Sequence, residues 1–486
     1  MKENDLNEFE KNIDFYINFI LKYYKNIENF PVKSQINPED IYNLIEKKAP
    51  EYGTSLKDIL EEFEKNILNG ITHWQSPNFF AYFNANTSIP SILGEFITAA
   101  IGVNVFSWET SPAGTELEQK VMEWLREMIG LPKYFTGVIQ DTASTSTLIS
   151  IITAREKFSN FEINNNGFNK LYNFRIYCSK EAHSSIEKDC RIAGIGSNNL
   201  IKIDTNDDYS INTQELENSI IKDLEKGFTP MCVISAIGTT SSTAIDNIKE
   251  VGNLCKKYNL WHHVDAAHLG SALICEEYRH WIDGIENVDT FVFNPHKWLF
   301  TNFDFSAYFV KNKDMLIKTF EIMPEYLKIN VDNVVNYKDW GIQLGRRFRA
   351  LKIWFVIKYY GTKKLKEMIR NHINLAKYFE DKLKEHKDFE ILAPRTANLV
   401  CFRALPINSK IDIDEYNLNY LNLINTSGKA YLTKTKLNNK IALRVNIGQT
   451  YVNKKNVENL LNLIISIKKH LDNGGPGGTR TSLFLN

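Results

Sequence analysis

The sequence lacks several features that mark particular classes of protein. Its six cysteines among 486 residues form no CxxC pair and no regular spacing, which argues against a disulfide framework. Lys plus Arg and Asp plus Glu number 58 each, so the formal net charge is zero and a dedicated nucleic-acid binder is not indicated. No apolar run approaches the roughly 18 residues of a membrane span, and the charged N-terminus has no signal-peptide core. These absences predict a cytoplasmic protein with buried free thiols, no membrane and no nucleic-acid partner.

The sequence also lacks the phosphate-binding motifs of nucleotide-dependent enzymes. Neither GxxxxGK[ST] nor a strand–GxGxxG–helix pattern occurs. The residues His262, His263, Asp265 and His268 offer metal-ligand types, but neighbouring strand residues point to opposite faces and His268 lies past the turn. We therefore predict no metal site.

What is present is an alternation of apolar strand patterns with amphipathic helix patterns. Helices are predicted over 145–158, 184–193, 213–226 and 246–258, and strands over 175–178, 200–203, 231–237, 260–267, 290–293 and 305–310. Such alternation predicts an α/β protein with a mainly parallel sheet covered on both faces. The length of the chain and the change of pattern along it predict several domains and segments. These are a helical N-terminal segment (1–85) that packs on a second subunit, a large domain (86–370), a small α+β domain (371–472) and a flexible tail (473–486).

Two predicted strands end in opposite charges. The strand at 260–267 delivers Asp265, and the strand at 290–293 is followed by Asn294-Pro295-His296-Lys297-Trp298. In open α/β sheets ligands bind beyond the carboxyl ends of the strands. A lysine that forms a Schiff base and a carboxylate that keeps a pyridine nitrogen protonated are the two charges that pyridoxal phosphate needs. A structural ion pair is the simpler explanation of either residue alone.

Two further strand ends carry side chains suited to the same site. His183 could stack on a flat ring or transfer a proton, although a helix-capping role is simpler. Thr240 places a hydroxyl at the edge after the strand at 231–237. The turn Asp141–Ser144 before the helix could present N–H groups to an anion, or could be an ordinary helix cap. The coincidence of four such strand ends favours the cofactor site.

Nine motifs together resemble the group II pyridoxal-phosphate decarboxylases, specifically the aromatic L-amino acid decarboxylases, over about residues 5–470. They are Phe80-Ala81-Tyr82-Phe83, Phe106-Ser107-Trp108, Ser111-Pro112-Ala113, Thr115-Glu116-Leu117-Glu118, Gly137-Val138-Ile139-Gln140, Ala182-His183-Ser184-Ser185, His263-Val264-Asp265-Ala266-Ala267, Asn294-Pro295-His296-Lys297-Trp298 and Leu344-Gly345-Arg346-Arg347-Phe348-Arg349. The resemblance implies the fold-type I architecture of aspartate aminotransferase, with a seven-stranded sheet, and an intertwined homodimer with its site at the subunit interface.

The resemblance also implies roles for individual residues. Lys297 would form the Schiff base, Asp265 would pair with the pyridine nitrogen, His183 would stack above the ring, and Thr240 would lie near the reacting carbons. Tyr326 would deliver a proton to the carbanion from a loop. Further cofactor contacts would come from Ala143, Ser144, Ala267, Asn294 and His296. The substrate pocket would include Trp74, Tyr82, Phe83, Ala85, Asn104, Phe106, His183 and Gly345.

Several positions depart from the family pattern. Asp141 stands where a glycine is usual, which puts a carboxylate near the expected phosphate. The segment Asn84-Ala85-Asn86 replaces a Pro-Thr or Pro-Ser pattern, and Asn104 replaces an apolar pocket residue. The segment between Tyr326 and Trp340 is shorter than in animal members. The departures at residues 84–86 and at Asn104 bear on which aromatic amino acid is the substrate.

The predicted reaction is decarboxylation of an aromatic L-amino acid to the arylalkylamine and CO2. The nearest rival function is that of an aldehyde synthase. The aldehyde synthases that this chain resembles have Phe in place of the loop Tyr or Asn in place of the stacking His. This chain keeps both residues, as Tyr326 and His183. A transaminase and a catalytically dead binding protein are the other rivals. The sequence does not rank tryptophan, tyrosine, phenylalanine and their hydroxylated forms, although Gly345 matches the small residue of indole-accepting relatives.

Overall fold

The computed structural model of the chain describes residues 3–169, 172–322 and 334–473. These residues form two compact units. The first unit comprises the described residues up to Asn84, Tyr378–Leu392 and those from Phe402 onward. The second comprises the described residues of Ala85–Lys377 together with Ala393–Cys401. Predictions that concern Tyr326 and the tail beyond Asn473 lie outside the described residues.

Helices and strands alternate through most of the described chain. The α-helices are α1 (Glu3–Lys25), α2 (Asp40–Leu44), α3 (Leu56–Glu62), α4 (Ile89–Ile101), α5 (Pro112–Met128), α6 (Ala143–Ser159), α7 (Glu162–Asn166), α8 (Ser185–Ile192), α9 (Thr213–Glu225), α10 (Ile248–Tyr258), α11 (Pro295–Trp298), α12 (Lys313–Phe320), α13 (Ala350–Lys384), α14 (Ile413–Thr426) and α15 (Lys454–Asp472). The strands are β1 (Thr136–Gln140), β2 (Phe174–Ser179), β3 (Leu200–Ile203), β4 (Thr229–Ala236), β5 (Trp261–Asp265), β6 (Thr290–Phe293), β7 (Ser306–Val310), β8 (Phe389–Ile391), β9 (Leu399–Ala404), β10 (Thr433–Leu437) and β11 (Lys440–Asn446).

The second unit is organised around a seven-stranded sheet of order β1-β7-β6-β5-β4-β2-β3. The pairs β3–β2, β2–β4, β4–β5 and β5–β6 are parallel, whereas β7 runs antiparallel to both of its neighbours. Strands β4 to β7 are almost entirely buried, as expected of a sheet covered on both faces. The prediction of a mainly parallel α/β sheet is confirmed.

The edge strand β1 was absent from the six strands predicted by pattern. Gly137 lies opposite Phe309 in the pairing with β7, and a Cβ at Gly137 would stand 2.5 Å from the Met122 Cε atom. The glycine that weakens the strand pattern therefore permits the close approach of helix α5 to the sheet.

The sequence predicts that a long helix begins at the motif Gly345-Arg346-Arg347-Phe348. Helix α13 begins later, at Ala350. The Val105 N–H donates to the Arg346 carbonyl at 2.9 Å, so this segment lies alongside residues 104–105. The helix is also interrupted at Gly361, whose φ is +67°.

The smaller sheet has the order β10-β11-β9-β8. Strand β10 pairs antiparallel with β11, and helix α14 packs against both β11 and α15. The sequence pattern does not predict β10 or α14. All six cysteines (Cys178, Cys190, Cys232, Cys255, Cys275 and Cys401) are free and buried, as predicted. In the described ranges no helix combines the length and the apolar character that a membrane crossing requires.

Candidate functional site

Lys297 is held by its backbone at the carboxyl end of β6. It lies in the short helix α11, where its N–H donates to the Asn294 carbonyl at 2.9 Å. The Asn86 side chain donates to the Lys297 carbonyl at 2.6 Å. The lysine is only partly exposed, and burial lowers the pKa of its amine, an effect that the nearby Asp265 carboxylate opposes. A buried amine with a lowered pKa is more often neutral and is therefore the better nucleophile.

Asp265 stands at the end of β5, the strand next to β6. Its Oδ1 atom accepts a hydrogen bond from the Ala267 N–H at 3.0 Å, and its carbonyl accepts from the Ile237 N–H at 2.9 Å. In the parallel register Asp265 lies opposite Ala236 of β4 and Val292 of β6. The loop that carries Thr240 starts from the same edge, so the sheet places these strand ends side by side.

His183 belongs to the same electrostatic cluster. Partial burial lowers the pKa of its imidazole, the Asp265 carboxylate raises it, and the Lys297 ammonium lowers it. The His183 Nδ1 atom accepts a hydrogen bond from the Ser185 N–H at 3.1 Å. Because a backbone N–H can only donate, the neutral ring carries its proton on Nε2. The charges of Asp265 and Lys297 both act on His183, so the three residues that the sequence predicts at separate strand ends lie close together.

The N-terminus of helix α6 follows β1 and is the turn at which the sequence predicts anion binding. Thr142 is its N-cap, and the Thr142 Oγ1 atom accepts from the Thr145 N–H. The first N–H groups of a helix, here those of Ala143 and Ser144, have no acceptor within the helix. Ala143 packs in one apolar cluster with Val292 and Ala267, which joins this turn to the ends of β5 and β6.

Asp141 does not cap helix α6. Its Oδ1 atom accepts from the Thr142 N–H at 2.6 Å, and its Oδ2 atom accepts from the Gln343 side chain at 3.2 Å. The carboxylate therefore uses one N–H of the turn and adds a negative charge beside the others. The sequence left open whether Asp141 caps the helix or crowds the anion. The contacts exclude the cap, and the crowding stays a prediction.

Asn294 and His296 surround the lysine with polar groups. His296 is 2% exposed, and its Nδ1 atom accepts from the Phe305 N–H at 2.8 Å. Asn294 is also 2% exposed, and its Oδ1 atom has no hydrogen-bond partner among the described residues. A buried amide oxygen without a partner indicates that a bound group completes the site.

The first unit contains an aromatic cluster that includes three residues predicted to line the substrate pocket. The rings of Trp74 and Tyr82 stack with centroids 5.6 Å apart, and the Tyr82 hydroxyl lies 3.3 Å from that of Tyr431. The Arg444 guanidinium lies over the Phe83 ring at 5.2 Å. Tyr82 also has a φ of +51°, an uncommon backbone conformation for a bulky residue.

Among the pocket residues predicted in the second unit, Asn104 and Gly345 lie together. The Asn104 Oδ1 atom accepts from the Arg346 N–H at 2.8 Å, and its Nδ2 atom is 3.8 Å from where a Cβ at Gly345 would stand. Phe106 is half-buried, and its carbonyl accepts from the Lys338 N–H at 2.8 Å. Ala85 begins this unit.

Three residues that the sequence does not predict contact predicted site residues in the structure. Asn86 holds the Lys297 carbonyl, although 211 residues separate the two positions. Tyr431 and Arg444 contact Tyr82 and Phe83. No local pattern distinguishes Asn86, whereas an arginine within the buried strand β11 was a signal that could have been followed.

No group of three or more potential metal ligands is found in the described parts of the chain. His262 and His263 bond instead to different partners, with His262 Nε2 2.8 Å from Ser235 Oγ and His263 Nδ1 2.8 Å from Thr290 Oγ1. Burial lowers their pKa values to about 3 and about 4, so both rings are neutral core residues near pH 7.

The donor set fits pyridoxal phosphate. Lys297 offers an amine for the aldehyde and Asp265 a carboxylate for the ring nitrogen, while the α6 N-terminus offers N–H groups for the phosphate. The unpartnered Asn294 oxygen lies beside the lysine in sequence and is buried with it. Each part of the cofactor therefore has a chemically suited partner at this edge of the sheet.

Comparison with known proteins agrees with this geometry. Residues 38–405 match the pyridoxal-dependent decarboxylase conserved domain. The chain is 41% identical over 476 residues to phenylacetaldehyde synthase of Arabidopsis thaliana, with 96% of each chain covered. It is 41% identical over 471 residues to tyrosine decarboxylase 2 of Narcissus pseudonarcissus, covering 94% of this chain and 93% of the relative.

The crystal structure of Catharanthus roseus tryptophan decarboxylase in complex with L-tryptophan superimposes with a TM-score of 0.91. It shares 37% sequence identity, and the match covers 96% of this chain and 98% of that one. The family model alone spans well over half of the sequence. The chain belongs to the pyridoxal-dependent decarboxylase family.

Proposed function

We propose that this protein decarboxylates an aromatic L-amino acid to the corresponding arylalkylamine, with pyridoxal phosphate as cofactor. The observation that carries the proposal is the cluster of Lys297, Asp265 and His183 at the carboxyl edge of the sheet. Relatives named as tyrosine and tryptophan decarboxylases support an aromatic substrate. The stacked Trp74 and Tyr82 rings supply the kind of surface that an aromatic side chain binds.

When bound, the cofactor supplies an aldehyde that bonds to an amine and a ring that accepts the electron pair left by departing CO2. Lys297 would hold the cofactor through its aldehyde carbon. The Asp265 carboxylate would hold a proton on the ring nitrogen, and His183 would cover the ring. The apolar side chains exclude water, which favours loss of the charged carboxylate as neutral CO2. Tyr326 then delivers a proton to the substrate Cα.

The proposal includes a homodimer, with the site at the subunit interface, in the cytoplasm. In the first unit, helix α1 leaves Leu6, Ile17 and Leu21, whose spacing puts them on one side of the helix, between 40% and 52% exposed. In the second unit, helix α4 leaves Ile89, Leu93 and Phe96 between 46% and 47% exposed. Contiguous exposed apolar residues on helices are typical of surfaces that another chain covers, and two such faces support a second copy as that chain.

An aldehyde synthase is the second candidate function, because one relative at 41% identity bears that name. The two reactions diverge after CO2 leaves: protonation of Cα gives the amine, whereas attack by oxygen leads to aldehyde, ammonia and peroxide. Tyr326 and His183 are both retained in this chain, which supports the amine. The product therefore depends on which reaches the carbanion first, the Tyr326 proton or oxygen.

Tyr326→Phe should shift the product from amine towards aldehyde and peroxide while CO2 release continues. Phenylalanine keeps the aromatic ring but removes the proton donor. The measurement is the ratio of amine to peroxide per CO2 released from tyrosine and tryptophan, with Tyr359→Phe, an exposed tyrosine on α13, as the control. A Tyr326→Phe enzyme that makes only amine at the parent rate would show that the proton comes from another group.

Asp141→Gly should tighten cofactor binding by about 1 kcal/mol, which is the scale of a like-charge repulsion near a surface. The variant removes the carboxylate and returns the Thr142 N–H to the turn. Equilibrium dialysis of pyridoxal phosphate measures the change. Gln343→Ala is the matched control, because it removes the partner of Asp141 and leaves the charge in place. Weaker binding to Asp141→Gly would show that the carboxylate organises the turn.

A further inference from the structure

Helix α6 contacts the large sheet through buried hydroxyl groups. Three of its hydroxyl residues are at most 1% exposed, and each lies within hydrogen-bond distance of a different strand. They are Ser146 against β7, Thr147 against β5 and Ser150 against β6. A helix usually meets a sheet through apolar side chains, and a buried polar group costs free energy unless it is hydrogen-bonded. This set of contacts therefore needs a specific explanation.

His263 of β5 is the centre of these contacts. Its Nε2 atom lies 3.1 Å from Thr147 Oγ1, and its Nδ1 atom lies 2.8 Å from Thr290 Oγ1 of β6. Thr290 Oγ1 lies 2.7 Å from Ser150 Oγ, which also accepts from the Trp261 Nε1–H at 2.9 Å. A neutral imidazole can bond a hydroxyl at each of its nitrogens. One ring therefore joins α6, β5 and β6 in a single network.

This network lies next to both ends of the proposed cofactor site. His263 and Asp265 are two residues apart on β5, so their side chains leave the same face of the sheet. Thr147 follows Ala143, the first residue of α6, by about one helical turn. Ala143 packs in one apolar cluster with Val292, which lies opposite Asp265 in the strand register. The hydroxyl network, the α6 N-terminus and Asp265 thus share one face of the sheet.

The spacing between α6 and β5 decides whether one small molecule can be bound by both. Pyridoxal phosphate has few rotatable bonds, so its phosphate and its ring nitrogen can be bound together only at one relative position of the two elements. Apolar contacts are non-directional, whereas hydrogen bonds weaken steeply when their geometry is distorted. A helix held by directional bonds to several strands is therefore fixed along the sheet more narrowly than a helix held by apolar contacts alone.

We propose that His263 and Thr147 are positioning residues, which set the α6 N-terminus relative to Asp265 so that one pyridoxal phosphate molecule is bound at both ends. The inference rests on the proposed function, in which α6 binds the phosphate and Asp265 the ring nitrogen. Both residues act through the elements that carry these groups. The neighbouring His262 provides a matched control, because it is equally buried but faces the other side of the sheet, where its Nε2 atom lies 2.8 Å from Ser235 Oγ.

The test compares the dissociation constants of pyridoxal phosphate and of pyridoxal, which lacks the phosphate, by equilibrium dialysis of the full chain without substrate. The ratio of the two constants measures how much the phosphate adds to binding of the ring. Thr147→Val removes the hydroxyl and keeps the volume, and it should lower this ratio by at least about tenfold, the effect of losing one hydrogen bond to a charged group. Thr147→Ser keeps the hydroxyl and should retain the ratio. His263→Leu should lower the ratio to the same extent, and His262→Leu should leave it within a few-fold of the parent.

A merely structural role for Thr147 predicts the opposite order of its two variants, because valine fills the space and serine leaves a cavity. That order, an unchanged ratio in Thr147→Val, or an equal loss in His262→Leu would overturn the inference and leave the proposed function intact, since the parent would still bind the cofactor. The two Thr147 variants decide the question if His263→Leu does not fold. A parent protein that binds no pyridoxal phosphate would overturn the proposed function and this inference together.

Discussion

Asp265→Asn should lower kcat by at least about 10²-fold while the protein stays folded and retains cofactor. The loss is on the scale seen when one preorganised electrostatic contact is removed from a transition state. Asparagine still accepts the hydrogen bond that the Ala267 N–H makes at 3.0 Å, so the local backbone is preserved. Only the negative charge that is proposed to keep the ring nitrogen protonated is lost, and the measurement is the rate of CO2 release at saturating cofactor.

Asp289→Asn is the matched control for that change. Asp289 is a largely buried carboxylate before β6, at the opposite end of the strand from Lys297, and it accepts from the His262 N–H at 2.9 Å. Its replacement should leave kcat within a few-fold of the parent. If Asp265→Asn decarboxylates at the rate of this control, the pairing of Asp265 with the ring nitrogen is wrong.

Arg346→Ala should lower the free energy of unfolding by about 3–5 kcal/mol, because it leaves a buried carboxylate without its partner. The Arg346 guanidinium donates to Glu118 at 2.6 and 3.1 Å and to the Ile139 carbonyl at 2.8 Å. The side chains of Arg346 and Glu118 are 5% and 1% exposed. This pair joins α5, the end of β1 and the segment that carries Gly345, so its loss should loosen all three.

Urea unfolding of the holoenzyme measures the effect, with Arg370→Ala as the control. Arg370 bonds Glu277 at 2.7 Å, but these side chains are 42% and 44% exposed, and an exposed pair contributes only about 0–1 kcal/mol. Adding Glu118→Leu to Arg346→Ala should recover part of the loss, since the stranded charge is then removed. Equal destabilisation by the Arg346 and Arg370 variants would contradict the account of the buried pair.

The parts of the fold that followed from the sequence are those with strong local patterns. The apolar runs that form β5 and β6 predicted both strands and the residues at their carboxyl ends. Strand β1 could not be predicted in this way, because it contains Gly137 and depends on contacts with Phe309 and Met122. Strand β10 is partly exposed and carries Lys434 and Lys436, so its pattern is typical of a polar loop.

The same distinction holds for the site. Lys297 and Asp265 could be predicted because each follows a buried strand, and neighbouring parallel strands bring their ends together. Asn86 could not, because its bond to Lys297 exists only in the folded chain. The role of Tyr326 rests on the resemblance, and the segment from 323 to 333 lies outside the described residues.

The central claim is that Lys297 is the residue that binds the cofactor aldehyde, and borohydride reduction followed by peptide mapping tests it most directly. The described chain contains a credible competitor in Lys352, whose side chain is 1% exposed and whose pKa is lowered to about 7 by burial. The account predicts a yellow protein in which reduction fixes one cofactor per chain on Lys297, and a Lys297→Ala protein that acquires no label. Label on Lys352 or another lysine, or no label on the parent protein, would contradict it.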